Sequence, residues 1–199
     1  MNVKEITFIA LLGSLANILF LISFYLGPIA PGASLDFSHI FIFVASVYGG
    51  PLIGFLTGLI GGILPGIYYG PLGACGWLGP IMLPIGKSLS GFSVGFLSKV
   101  FRVKQSRKSL VMIPLTLVSY IPECIFTVVV FVALLPVFIG GDVASLLSFL
   151  LVFVLPKAWA EIIFISFFMA ALVGNTGFNS FVANFFGNQN ANQRTENKA

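Results

Sequence analysis

Residues 6–26 hold no Asp, Glu, Lys or Arg, and a helix of that length crosses the ~30 Å hydrocarbon layer of a bilayer at ~1.5 Å per residue. Comparable apolar segments recur at 78–100, 110–135 and 145–173. The last is long enough to tilt, with Pro156 placed to kink it. Only 8% of the 199 residues are charged while 58% are hydrophobic, against roughly 25% charged in a typical soluble domain. Lipid has to cover what so few charges cannot. The chain therefore reads as an all-α membrane protein with one transmembrane domain, residues 1–187. A polar cytoplasmic tail, residues 188–199, is expected to be disordered. The apolar run after Lys4 is too long for a usual signal segment and reads as an anchor.

The ambiguous stretch is 37–64, broken by Gly49-Gly50-Pro51. It crosses once or twice, and the cations decide between these. Two crossings put Lys4, the basic segment 99–108, Arg194 and Lys198 on one side. The opposite loops, 27–35, 67–77 and 136–144, then contain no Lys or Arg. The positive-inside rule favours that arrangement. The expectation is a six-transmembrane-helix bundle in the cell membrane with both ends inside, its second and third helices forming a short hairpin.

Several chemistries are disfavoured. The net charge is +4, but half of the ten cations fall in 99–108, which suits a cytoplasmic loop beside anionic lipid better than a nucleic-acid face. There is no HExxH or Cys/His cluster for zinc, no GxxxxGK[ST] phosphate loop and no GxSxG. The two cysteines, Cys75 and Cys124, do not make a disulfide framework. No cofactor, metal or catalytic residue is expected.

Two features remain. Gly54, Gly58 and Gly62, then Gly91 and Gly95, and also Ala10 and Ser14, lie four residues apart. That spacing lets helix backbones approach closely, within the bundle or against another subunit. Lys87, Glu123, Lys157 and Glu161 lie inside apolar spans, where ionisable groups are costly and usually functional. Counted from the outer helix ends they are roughly 13–24 Å deep. Lys157 and Glu161 are i,i+4 neighbours, and Lys87 shares a face with Gly91 and Gly95. These four charges sum to zero, which disfavours a strongly anionic ligand. They either brace the bundle or line a polar pocket between the last three helices. Trp77, Tyr120 and Trp159 lie near them, as interfacial or core residues or as a wall for a flat ligand. Asp36 opens the second helix, most simply as an N-cap, and is also a pocket candidate. A lone His39 is more often packed than a ligand.

The stretch Leu35-Asp-Phe-Ser-His, followed by Tyr48-Gly-Gly-Pro-Leu-Ile-Gly-Phe-Leu-Thr-Gly-Leu-Ile-Gly-Gly, resembles the substrate-binding S components of energy-coupling factor (ECF) transporters. It is most similar to the riboflavin-type members. The motif similarity covers about residues 7–66. The resemblance implies six helices, a loop after the first helix closing over the ligand, and a small-residue face, here Ala10 and Ser14, that meets a transmembrane coupling subunit. It also implies ATPase partner subunits and a vitamin-type small-molecule substrate. Riboflavin-type members carry a Pro-Phe-Asn-x-x-Lys pattern where this chain reads Pro156-Lys-Ala-Trp-Ala-Glu161. The opposite charge at Glu161 argues against riboflavin itself. The expected role is the ligand-capturing subunit of an importer, not an enzyme. The competing readings are a membrane scaffold whose charges only hold helices together, and an intramembrane enzyme using Glu123 or Glu161 as a base.

Overall fold

The computed structural model describes residues 1–30, 33–73, 75–103 and 109–185. The expected disordered tail, residues 188–199, lies outside the described residues. Six helical segments set the frame: α1 (Val3–Leu26), α2 (His39–Gly49), α3 (Pro51–Tyr69), α4 (Gly76–Val100), α5 (Ser109–Phe138) and α6 (Val143–Gly174). Five of them are long and apolar enough to cross a membrane. The exception is α2, with eleven residues.

Local chemistry explains the helix ends. Asn2 accepts from the Glu5 backbone N–H while the Glu5 carboxylate accepts from Asn2 N–H, a capping box that starts α1. After Gly27 the chain makes a small antiparallel turn of two short strands, Pro28–Ala30 and Ala33–Ser34. The break between α2 and α3 is where the Gly-Gly-Pro triplet put it. Gly50 sits at φ 98°, a conformation that costs any residue with a Cβ, and Pro51 opens the next helix. α3 runs on to Tyr69, past the 67–77 loop boundary expected from sequence, because Gly62 does not stop it. Residues 176–185 add a helical stretch to the polar segment after Gly174. Asn175 caps it by accepting from Phe178 N–H, and Tyr48 OH donates to Asn179 Oδ1 at 2.6 Å, tying it to α2.

The most extensive packing joins α3 to α4. A Cβ on Gly58 would lie 2.6 Å from the Lys87 carbonyl oxygen and 2.6 Å from Ser88 Cα. One on Gly95 would lie 2.7 Å from Pro51 Cα, and one on Gly91 2.5 Å from the Gly54 carbonyl. The glycine spacing on these two helices therefore serves internal packing. Two backbones run against each other with no side chain between them. That contact carries Lys87, at the level of Gly58, into the middle of the bundle.

α5 and α6 are different. Each has a π-helical turn in the half nearer the 139–142 connection, Val130–Leu134 and Leu150–Val154, and each leaves most of its surface exposed to the surroundings. These halves form a second apolar cluster around Val130, Phe131, Leu135 and Leu150, separate from the main core. Between the two clusters is a cavity.

Candidate functional site

The cavity has a volume of about 140 Å³. Its floor is polar and its upper wall apolar. Asp36, His39, Lys87, Glu123, Lys157 and Glu161 supply the polar part, from the segment before α2 and from α2, α4, α5 and α6. Leu78, Met82, Phe126, Val130, Phe131 and Phe149 supply the apolar part. An apolar pocket with a few convergent polar groups is the usual form of a small-molecule site.

The charges pair across helices. Lys87 Nζ donates to Asp36 Oδ2 at 2.7 Å and to Ser38 Oγ at 2.6 Å. Its third contact is His39 Nδ1, at 3.4 Å. His39 Nε2 meets Glu123 at 2.9 and 3.2 Å. An ammonium has only protons to give, so Nδ1 is the acceptor and Nε2 carries the proton toward the carboxylate. Glu161 Oε1 accepts from Asp36 N–H at 2.6 Å. Burial by itself, the largest single influence, would raise the Asp36 carboxyl, but the basic side chains around it, Lys87 foremost, together outweigh it and hold the group well below the usual carboxylate range.

Lys157 is bound more loosely than these. It lies 3.5 Å from Glu161 Oε1 and 3.4 Å from Tyr69 OH, with its ammonium 5.0 Å from the Tyr69 ring centre. Both polar contacts are longer than a good charge-assisted hydrogen bond, which is about 2.7–2.9 Å. Tyr69 OH donates to the Ser34 carbonyl at 2.7 Å, so the segment before α2 is fastened over this corner.

The sequence candidates sort unevenly. Lys87, Glu123, Lys157, Glu161, Tyr120 and Asp36 all border the cavity. Lys87 pairs with Asp36, a partner that sequence spacing did not indicate. Asp36 is not the N-cap of α2. Ser38 occupies that position, and Asp36 Oδ1 accepts from Ser38 N–H at 3.0 Å while its other oxygen is turned to Lys87. Trp159 packs edge-on against Tyr120, ring centres 5.4 Å apart, behind the cavity wall. Trp77 is 83% exposed and does not reach the cavity. Ala10 and Ser14 lie exposed on the outer face of α1. Tyr69, which the sequence offers with Tyr68 as an interfacial residue or a ligand wall, borders the cavity, and so does His39, which the sequence reads as packed. The signal for His39 was present, since an ionisable group in a long uncharged stretch is a functional candidate by default. Among the described residues no three His, Cys, Asp or Glu side chains converge as metal ligands would.

Residues 4–173 match the family model described as ECF transporter, substrate-specific component. No curated protein and no solved structure matches the chain.

Proposed function

The chain belongs to the ECF transporter substrate-specific component family, whose members are substrate-binding subunits of importers and not enzymes, and on that premise we propose that it captures a vitamin-type small molecule in the cavity beneath the 27–38 segment. One observation carries this reading. Six ionisable side chains from five separate segments converge on one space, where a purely structural network gains little from burial. The pairs Lys87–Asp36 and His39–Glu123 are short and brace the bundle. The long Lys157–Glu161 pair retains hydrogen-bonding capacity for a ligand. ATPase subunits supply the energy through a coupling subunit, because this chain has no nucleotide-binding motif. Copurification of ATPase subunits with the tagged chain from its native membrane tests the assignment. Their absence under conditions that preserve membrane complexes would sink it.

In this reading the chain crosses six times with both ends in the cytoplasm, and α2 with α3 forms the second and third crossings. Ser34 is buried, so the exposed Gly141 in the outer loop is the better reporter. In a chain with Cys75 and Cys124 replaced by Ser, a cysteine at Gly141 is expected to react with an impermeant maleimide on intact cells. One at Ser106 is expected to react only after permeabilisation. External labelling at Ser106 would reverse the orientation.

The coupling subunit docks on α1, where Ala10 and Ser14 leave a shallow strip between larger exposed side chains such as Leu11 and Ile18. Bulk at those positions holds an approaching helix away. Ala10→Leu with Ser14→Leu is expected to leave ligand binding unchanged and to reduce capture of the coupling subunit by about tenfold, a loss of about 1.4 kcal/mol. Unaltered uptake in cells would remove this face from the interface.

A further inference from the structure

We propose that ligand enters the cavity when the hairpin of residues 130–154 swings away from α4 on its two π-helical turns, while the 33–38 segment stays in place as a fixed roof. This rests on the substrate-capture reading and adds the way in.

The first observation is that four helices around the cavity are interrupted at one level. α3 is broken at Gly62, α4 contains Pro84, and α5 and α6 have π-helical turns at Val130–Leu134 and Leu150–Val154. Ile139 lies against Gly76, so the helix ends beside these two residues are on the same side of the molecule. Counted from those ends, all four interruptions lie roughly 10 Å in. Helices bend at breaks of these kinds, and π-helical turns are frequent at functional sites.

The second observation is that the breaks in α3 and α4 are fastened. The Asn17 side-chain amide donates to the Ile60 carbonyl at 2.8 Å and accepts from Leu64 N–H at 2.9 Å, bridging two groups that an unbroken helix would join directly. Beyond the breaks the two backbones stay together, and a Cβ on Gly66 would lie 2.9 Å from Pro80 Cα. The 33–38 segment is pinned as well. The Ser34 carbonyl accepts from Tyr69 OH at 2.7 Å, Asp36 accepts from Lys87 at 2.7 Å and donates its N–H to Glu161 at 2.6 Å, and Phe37 N–H donates to Ser23 Oγ at 3.4 Å. Lifting this segment would leave buried donors and acceptors unsatisfied.

The third observation is that the 130–154 hairpin has no such fastening. Among the described residues its side-chain hydrogen bonds all stay inside it: Asp142 accepts from Ser145, and Ser148 donates to the Ala144 carbonyl. Its own packing holds it together, with the Phe131 and Phe149 rings stacked at 6.5 Å. It meets the neighbouring helix through apolar contacts around Cys75, Leu78 and Met82. Lipid chains are as apolar as these side chains, so parting that seam in a bilayer exposes nothing that lipid cannot cover. Val130, Phe131, Phe149 and Val154 border the cavity, so the same movement opens it.

The test uses the full chain in lipid nanodiscs, with Cys75→Ser and Cys124→Ser, and pairs of spin labels on exposed positions. Phe96→Cys is the common reference, paired in turn with Val137→Cys beyond the π-helical turn of α5, Ile125→Cys before it, and Ile67→Cys beyond the break in α3. Double electron–electron resonance is expected to give a Phe96–Val137 distance distribution at least about twice as broad as the other two. In the chain with Cys124→Ser alone, N-ethylmaleimide reads access to Cys75, which is buried and borders the cavity. Leu135→Ala, which loosens the seat of the hairpin, is expected to speed that modification by about tenfold, and Tyr69→Phe, which frees the Ser34 carbonyl, to leave it within about twofold. Should Leu135→Ala fail to fold, the distance distributions decide alone. Three distributions of equal width overturn the inference, as does a Tyr69→Phe chain modified as fast as Leu135→Ala. Recruitment of ATPase subunits is read separately, and its failure is the failure of the capture reading, whichever segment moves.

Discussion

Replacing Lys157 with Met and Glu161 with Gln together is expected to leave the bundle folded and to abolish ligand capture. Either change alone is expected to damage the fold more than the pair does. Removing Lys157 by itself leaves the Glu161 carboxylate in a low-dielectric site, a change that costs about 3–5 kcal/mol for a well-made buried pair. The 3.5 Å separation puts this pair near the lower end. In the double variant no charge is stranded. The glutamine amide still offers an oxygen to Asp36 N–H, which the native Glu161 carboxylate holds at 2.6 Å. The methionine side chain can occupy the space beside Tyr69 with its thioether. The ligand, however, meets an amide and an apolar chain where it had an ammonium and a carboxylate, so its polar groups go unsatisfied at about 1–3 kcal/mol each. Melting in detergent measures the first effect. Ligand retained per mole of purified protein, beside uptake in cells expressing the partner subunits, measures the second. A double variant with normal melting and normal uptake would take both residues out of the site, leaving them as braces.

How much of this was visible in the chain follows from what each feature depends on. The helices were legible because crossing lipid demands length and apolarity together, and both are local properties. The turn at Gly49-Gly50-Pro51 was legible because a left-handed glycine followed by proline has few alternatives. The cluster was legible as a list of candidates, since Lys87, Glu123, Lys157 and Glu161 stand out against apolar surroundings. Its wiring was not. Lys87 meets Asp36 across 51 residues and His39 meets Glu123 across 84, and no helical periodicity encodes either pair. Only Lys157–Glu161, which lies within one helix, was predictable as a contact. Trp77 was misjudged because it lies before the regular part of α4, where Gly76 at φ 50° turns the chain and helical spacing gives no direction. The π-helical turns at Val130–Leu134 and Leu150–Val154 lie in runs of Val, Leu, Phe and Ala, with no residue type to mark them. The extra helical stretch at 176–185 was hidden by its Asn content, although Asn175 is itself a good helix cap.

The glycine contact between α3 and α4 should be the least tolerant place in the molecule. Gly58→Ala is expected to cost about 2–4 kcal/mol or to prevent folding outright. The added carbon would lie 2.6 Å from the Lys87 carbonyl oxygen, 2.6 Å from Ser88 Cα and 2.7 Å from Ser88 N. All three are backbone atoms of a helix, so no side chain can swing away and the two helices must part. Parting them moves Lys87, which is anchored within 2.7 Å of both Asp36 and Ser38, so the floor of the cavity shifts with the helix. Gly86, one residue before Lys87 on the same helix, supplies the contrast. A carbon there would lie 3.5 Å from Glu123 Cγ and 3.5 Å from a Phe126 ring carbon, ordinary contact distances. Gly86→Ala is therefore expected to melt within about 1 kcal/mol of the parent while narrowing the cavity beside Glu123 and weakening ligand binding. Thermal melting and the monodisperse fraction on size exclusion, read beside ligand retention, separate the two variants. Gly58→Ala should lose stability and binding together, and Gly86→Ala binding alone. A Gly58→Ala protein that melts like the parent would mean that α3 and α4 do not approach this closely.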